Sequence, residues 1–285
     1  MIPTPFTYYR AKSVGEALKR LAASEGSAKL LAGGHSLIPA MKLRLNQPGE
    51  LIDIGRIAAL KRIRISKGQL VIGAGVTHGE IAASELVKSK LPILVDAAEL
   101  IGDPQVRNKG TLGGSLAHAD PSADWPAVLL ATKAEVVVQS TEATRVIPAA
   151  DFFTGFFSTA IFDMEMVTEV RIPLPARGTK GAYLKFAQPA SRFALVGCAV
   201  MIRTSKKVVE DLQIAFTGVS ENAFLDTAVS DALVGKVGDA DNIAAAANKA
   251  AEGVSINSDL YASEAYRKHL AKVFAKRAIQ AALKG

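Results

Sequence analysis

Two glycine pairs hold most of the chemical potential of this chain: Ala32-Gly33-Gly34-His35-Ser36 and, downstream, Thr111-Leu112-Gly113-Gly114-Ser115. A residue without a β-carbon lets backbone approach a ligand closely, and successive amide N–H groups in such a turn form a nest that can hold a pyrophosphate without any lysine. Ser36, Thr111 and Ser115 add hydroxyl donors. One Gly-Gly pair is equally the mark of a tight structural turn; two in one domain shift the balance toward a ligand. The second pair leads into His118-Ala119-Asp120-Pro121-Ser122-Ala123-Asp124-Trp125-Pro126, where polar residues stand directly against apolar ones. Carboxylates there can accept hydrogen bonds from sugar hydroxyls or a heterocyclic N–H. Asp120 equally suits an N-cap for the following turn.

Other chemistries find little support. Val71-Ile72-Gly73-Ala74-Gly75-Val76-Thr77-His78-Gly79, with Asp96 beyond, has the outline of a nicotinamide-dinucleotide fingerprint. Its third glycine comes one place late, and its strand belongs to a hairpin rather than to a βαβ unit. The four histidines, His35, His78, His118 and His269, show no paired metal-ligand spacing beyond His118 and Asp120. No phosphate loop ending in Gly-Lys-Ser or Gly-Lys-Thr, no Gly-x-Ser-x-Gly elbow and no Cys/His dyad is present. A single cysteine, Cys198, cannot supply the four thiolates of an iron-sulfur cluster, so any such cluster belongs to another chain.

The elements that must position these residues follow from periodicity. With 285 residues, 49% of them hydrophobic and 6% aromatic, the chain can build a large mixed α/β or α+β core. Capping boxes at Ser13–Glu16 and Thr77–Glu80 start helices. Ala28 to Ala32 is a short buried strand that stops at the first glycine pair, Leu37 to Leu45 is helical, and Leu51 to Ile54 is the next strand, closing a first unit near Arg56. Leu60 to Ile65 and Leu70 to Ile72 flank a Lys67-Gly68 turn as a hairpin. Leu91 to Leu100 is helical after Pro92, and Ala134 to Gln139 is a strand. Pro173, Pro175 and Arg177-Gly178 break the pattern like an interdomain linker. Strands at Ala182 to Phe186, Ala194 to Ile202 and Leu212 to Thr217 follow, then helices over Ile243 to Ala251 and along the stripe Tyr266, Leu270, Val273, Phe274 and Ala278. The net charge of +7 is spread along the chain; its one concentration, Lys61 to Lys67, reads as a solvated hairpin rather than a nucleic-acid surface, while leaving room for an acidic partner. Neither a basic flank nor an apolar signal region opens the sequence, and no apolar run is long enough to span a bilayer, so a cytoplasmic protein is expected.

Taken in order, Leu31-Ala32-Gly33-Gly34-His35-Ser36-Leu37-Ile38-Pro39 with Met41-Lys42-Leu43-Arg44-Leu45, Asp103-Pro104-Gln105-Val106-Arg107-Asn108, Gly110-Thr111-Leu112-Gly113-Gly114 and Asp120-Pro121-Ser122-Ala123-Asp124 make the chain resemble the FAD-containing medium subunits of the carbon monoxide dehydrogenase and xanthine dehydrogenase group, over nearly its whole length. The resemblance implies an α+β fold: a two-subdomain FAD domain of the vanillyl-alcohol-oxidase type over 1–175, with subdomains of about 1–56 and 57–175, then a smaller domain over 176–285 with a three-stranded sheet and helices. It implies FAD contacts from Ala32, Gly33, Gly34, His35, Ser36 and Leu37, and from Thr111, Gly113, Gly114, Ser115 and Ala117, with the two glycine motifs on the pyrophosphate. Asp120 and Asp124 would serve the ribityl chain or the polar ring edge, Ile101 the ring or adenosine region, and Lys185 and Phe193 the segment sent toward the isoalloxazine. Arg192 stands where relatives often carry an acid or small polar residue, and Phe193 lacks a ring hydroxyl and equally suits ordinary core.

By the same resemblance the chain is an electron-transfer component without a catalytic residue or metal of its own. A large subunit with the molybdopterin cofactor would oxidise a substrate, a small subunit would carry 2Fe-2S clusters, and FAD here would pass electrons to an external acceptor. The assembly would be a heterotrimer or a dimer of heterotrimers, with room for peripheral contact with a membrane or quinone and none with nucleic acid. A rival reading is a self-sufficient flavin oxidase with FAD bonded covalently to His35, since berberine-bridge-type oxidases have a similar Gly-Gly-His.

Overall fold

The computed structural model describes residues 1–284. It opens with a small parallel sheet in which β1 (Thr7–Arg10) and β2 (Ala28–Leu31) flank β3 (Glu50–Asp53). Parallel neighbours require crossovers. The helix Val14–Ala23 supplies the first and buries Ala17, Leu18 and Leu21 on one face. Its expected capping box is one-sided: Ser13 Oγ accepts the Glu16 N–H, but the Glu16 carboxylate reaches past Ser13 to the Lys12 N–H and the Tyr9 hydroxyl. The second crossover carries the first glycine pair and a helix, Leu37–Lys42. That helix stops short of the expected Leu45 because Arg44 turns into the left-handed region, φ +60°.

The next unit is an antiparallel sheet. It comprises β4 (Ile63–Ser66), β5 (Gln69–Gly73), β6 (Glu135–Gln139) and β7 (Thr144–Pro148), then, after the small hairpin β8 (Phe153–Gly155) and β9 (Ser158–Thr159), β10 (Met166–Pro173). The order is β4-β5-β10-β6-β7, so β10 returns to the centre between β5 and β6. The hairpin arm expected from Leu60 starts only at Ile63, since Ala58–Lys61 is a 3-10 turn. Gly73 and Gly75 explain this: a β-carbon on Gly73 would stand 2.2 Å from Leu60 O, and the Gly75 N–H donates to that same oxygen. The glycines that mimic a dinucleotide fingerprint thus serve close backbone packing. Trp125, Leu94 and Leu116, from the helices Trp125–Ala131, Pro92–Leu100 and Leu112–His118, pack with Leu70, Ile72, Val136 and Val170 of the sheet in one core.

Strands β11 (Thr179–Ala187), β12 (Ala194–Ser205), β13 (Val208–Thr217) and β14 (Phe224–Leu225) form the last sheet. It has four strands, not the three expected. The fourth is only two residues long and shows no alternation to read; it is held by pairing with Ala215 and Phe216 and by the Phe224 ring 5.7 Å from that of Phe216. Both faces of this sheet are covered, which is why Ala194 to Ile202 reads as a continuous apolar run. Val196, Cys198, Val200 and Ile202 face the C-terminal helices, where Leu270, Phe274 and Ala278 of Glu264–Lys284 are buried. Ala199 and Met201, on the opposite face, join the core around Trp125. Tyr266, aligned with the stripe in sequence, sits at its exposed edge. Among the described residues no helix is long and apolar enough to cross a membrane.

Candidate functional site

Loops from the three larger sheets converge on a cleft of about 600 Å³. The first glycine loop leaves the end of β2, with Gly34 at φ +79°, and Gly33 lies so close to the second loop that a β-carbon would come 2.1 Å from Lys109 O. Four consecutive amides, those of Gly33, Gly34, His35 and Ser36, find no acceptor within the described residues, and Ser36 makes no side-chain cap. Backbone N–H groups are almost always paired with protein, water or ligand. A row of unpaired amides along one turn supplies the donors that an anion nest would use.

The second glycine loop is organised differently. Thr111 Oγ1 accepts the Gly114 N–H at 3.1 Å, and the N–H groups of Leu112 and Gly113 donate to Val76 O and Ala74 O, each at 2.9 Å. Its amides are therefore engaged within the chain. What the glycines supply is proximity, because a β-carbon on Gly113 would lie 2.5 Å from Ala74 Cβ. The helix Leu112–His118 is drawn against the end of β5, and Gly114, Ser115, Ala117 and His118 line the cleft.

Ile101 stands on the cleft wall in a turn shaped by the neighbouring motif. Asp103 caps Pro104–Arg107 through the Val106 N–H, and the Arg107 guanidinium folds back to donate to the carbonyls of Ile101 and Gly102, both at 3.1 Å. Asp120 also lines the cleft. It accepts the Ser122 N–H at 2.8 Å in a local turn, and burial pushes its carboxyl up against the pull of that bond and of His118. The last sheet grips this segment: Thr217 Oγ1 donates to Pro121 O and Ala123 O, the Gly218 N–H to Pro121 O, and the Ala194 N–H to Ser122 O. Phe193, 42% exposed, closes one side of the cleft from the β11–β12 turn.

Asp124 on the cleft wall and Lys185 behind it form a strut. Lys185 Nζ lies 2.9 and 3.0 Å from the two Asp124 carboxylate oxygens and donates to Leu100 O at 2.7 Å, while the buried Tyr183 hydroxyl donates to Asp124 Oδ1 at 2.6 Å. Burial raises the Tyr183 hydroxyl well above its ordinary value, and the adjacent Asp124 carboxylate adds to that. One ammonium on the last sheet thus joins the helix end at Leu100 to the helix start at Asp124.

Fifteen of the sixteen residues expected at the site line this one cleft: Ala32, Gly33, Gly34, His35, Ser36, Leu37, Ile101, Thr111, Gly113, Gly114, Ser115, Ala117, Asp120, Asp124 and Phe193. Lys185 does not, because the Asp124 carboxylate and Leu100 O draw its ammonium inward, where the side chain is 2% exposed. Sequence reasoning missed Arg107 as a shaper of the Ile101 turn, the clamp from Thr217, and His78. The imidazole of His78 is buried on the cleft wall, accepts the Trp125 indole N–H at Nδ1 (3.1 Å), and has its pKa lowered by burial to about 4, with His35 and Arg107 adding to the shift. The Thr77–Glu80 capping box gave the signal for a fixed helix start at that position, though not for the chemistry of its first residue.

Known proteins share this fold. A family model described as the FAD binding domain in molybdopterin dehydrogenase matches residues 4–175, and one for the CO dehydrogenase flavoprotein C-terminal domain matches residues 181–282. The carbon monoxide dehydrogenase medium chain of Hydrogenophaga pseudoflava is 41% identical over 282 residues, covering 99% of this chain and 98% of that one. The glyceraldehyde dehydrogenase medium chain of Sulfolobus acidocaldarius is 36% identical over 280 residues, covering 98% and 99%. A solved structure of the H. pseudoflava carbon monoxide dehydrogenase lacking the Mo-pyranopterin moiety of its cofactor superposes with a TM-score of 0.96 at 42% identity, covering 100% of this chain and 99% of that one.

Two measurements test the site's electrostatics. Lys185→Met leaves the Asp124 carboxylate buried without its cation and is expected to lower stability by about 3–5 kcal/mol; adding Asp124→Asn should recover most of that loss, as read by denaturant melts of the three variants. His78 stays neutral in the folded chain down to about pH 4, whereas its ordinary pKa is 6.5. The unfolded chain therefore binds the extra proton between these values, and stability falls as pH drops through that window, by on the order of 3 kcal/mol. Melts of His78→Gln across pH 7 to 4 should show a shallower decline than wild type.

Proposed function

Since the chain belongs to the FAD-binding medium subunits of carbon monoxide dehydrogenase and xanthine dehydrogenase-type molybdenum hydroxylases, we propose that it is the electron-transfer subunit of such a complex. A small partner subunit with 2Fe-2S clusters delivers electrons to the FAD site, and an external acceptor collects them. The observation that carries this reading is the run of four unpaired amides, Gly33 to Ser36, on a turn that packs against the second glycine loop and lines one cleft with it. Relatives named for carbon monoxide and for glyceraldehyde share the chain end to end, which fits a substrate pocket on the large molybdenum-cofactor subunit rather than here.

The cleft fits an FAD. A diphosphate satisfies the orphaned amides, as anions do in backbone nests, and Ser36, Thr111 and Ser115 stand beside it. Asp120 offers a carboxylate to ribityl hydroxyls, and Ile101 and Phe193 offer apolar surface to the ring. Bound FAD supplies the redox chemistry, accepting electrons one at a time and releasing them one or two at a time. The protein's part is to hold it: the Lys185 strut and the Thr217 clamp fix the Asp120–Asp124 segment, and Phe193 limits water at one side. On this reading residues 1–175 form a two-subdomain FAD domain of the vanillyl-alcohol-oxidase type, split near residue 56, and 176–285 a C-terminal domain. We place the complex in the cytoplasm as a heterotrimer or its dimer.

Purification of the chain with its neighbours tests this. FAD in a one-to-one ratio, released into solution when the protein is denatured, is expected together with a molybdopterin subunit and a small cysteine-rich one. Flavin that stays bonded to the denatured polypeptide would instead support a self-sufficient oxidase linked through His35.

A further inference from the structure

His78 opens the helix His78–Ala82 directly behind the second glycine loop, with 4% of its surface exposed, and that surface is on the cleft wall. Three contacts fix it. Its backbone N–H donates to Gly110 O at 3.0 Å, the reciprocal Thr77/Glu80 cap locks the turn that carries it, and the buried Trp125 indole donates to Nδ1 at 3.1 Å. An indole nitrogen can only donate. Nδ1 must therefore present its lone pair, and in the neutral ring the proton resides on Nε2.

Nε2 has no partner within the chain. It is nevertheless not sealed in, since Arg267 Nε is the one buried side-chain nitrogen or oxygen among the described residues left without a partner. Gly110 keeps the space beside it clear: a β-carbon there would come 2.8 Å from Nε2. A donor held in so dry a setting loses its hydration unless an acceptor meets it. The ring cannot rotate away to find one without breaking the bond to Trp125.

We infer that His78 is a cofactor-binding residue: its Nε2–H donates, directly or through one ordered water, to an oxygen of the FAD where the cofactor passes Gly110. The inference rests on the reading of the cleft as an FAD site. It assigns Trp125 the role of a positioning residue, acting through the tautomer it imposes. The bond places the ligand without adding a positive charge beside it, which distinguishes it from anything a lysine or arginine would provide at the same point.

FAD titrations of the full chain, followed by quenching of flavin fluorescence, test it. Gln at position 78 can accept from Trp125 through its oxygen and donate through its nitrogen, whereas Phe keeps the ring volume and does neither. His78→Gln is expected to bind FAD within about threefold of wild type, and His78→Phe at least tenfold more weakly, a difference of about 1.4 kcal/mol. Equal affinity of His78→Phe and wild type, or equal loss in both variants, would overturn the inference. Should His78→Phe fail to fold, wild-type protein with nitrogen-15-labelled histidine still decides: FAD must shift the His78 Nε2–H resonance, and an unmoved resonance in FAD-saturated protein rules the bond out. Failure of wild type to bind FAD would instead remove the reading of the cleft itself.

Discussion

Four backbone N–H groups that the chain leaves unpaired, from Gly33 to Ser36, are the constraint around which the rest of the molecule is arranged. Gly33 and Gly34 are half-buried and His35 and Ser36 exposed, so these N–H groups are left to water or to a ligand. The fold offers them no acceptor, and the residues that carry them line the cleft. The turn has Gly34 in the left-handed region and Gly33 flush against the Lys109 carbonyl, so the nest and the second glycine loop are parts of one packed contact. The second loop in turn is fixed by hydrogen bonds to Ala74 and Val76 at the end of β5. A small parallel sheet and a larger antiparallel one are thereby joined along the cleft.

The last sheet closes the third side and carries little of the cleft itself. Its contribution is mechanical. With both faces buried it is a rigid wall, and from it Lys185, Tyr183 and Thr217 reach across to hold Leu100, Asp124 and the carbonyls of Pro121 and Ala123. Buried ion pairs are weak sources of net stability, yet breaking one is costly. Asp124 and Lys185 therefore lock a geometry rather than deepen a free-energy minimum, with Asp124 on the cleft wall and the Lys185 ammonium behind it.

Much of this was legible from residue order alone. The first glycine pair after a strand, the polar stretch at Asp120–Asp124 and the cap at Thr77 are local features that lie where local reasoning puts them, whereas the second pair, expected as a turn, opens the helix Leu112–His118. The cleft residues follow, because short loops at the ends of neighbouring elements converge. What escaped is non-local. β10 returns from nearly a hundred residues downstream to pair between β5 and β6, and nothing in Met166–Pro173 announces that partner. β14 is too short to have a pattern. The Leu60 hairpin arm failed because Gly73 and Gly75 bring another backbone in, a contact visible only once the chain is folded. Lys185 illustrates the same limit at the level of one side chain: its sequence neighbourhood says nothing of Leu100 or Asp124, whose oxygens decide where its ammonium goes.

If the nest is what the fold is built around, the diphosphate and not the flavin ring must carry most of the recognition. Isothermal titration of the flavin-free chain with FAD and, separately, with riboflavin measures this directly. The account predicts that FAD binds at least a hundredfold more tightly than riboflavin, a difference of about 2.7 kcal/mol. Comparable affinities for the two ligands would contradict it, because the amides of Gly33 to Ser36 would then be bystanders and the cleft would owe its ligand to the ring alone.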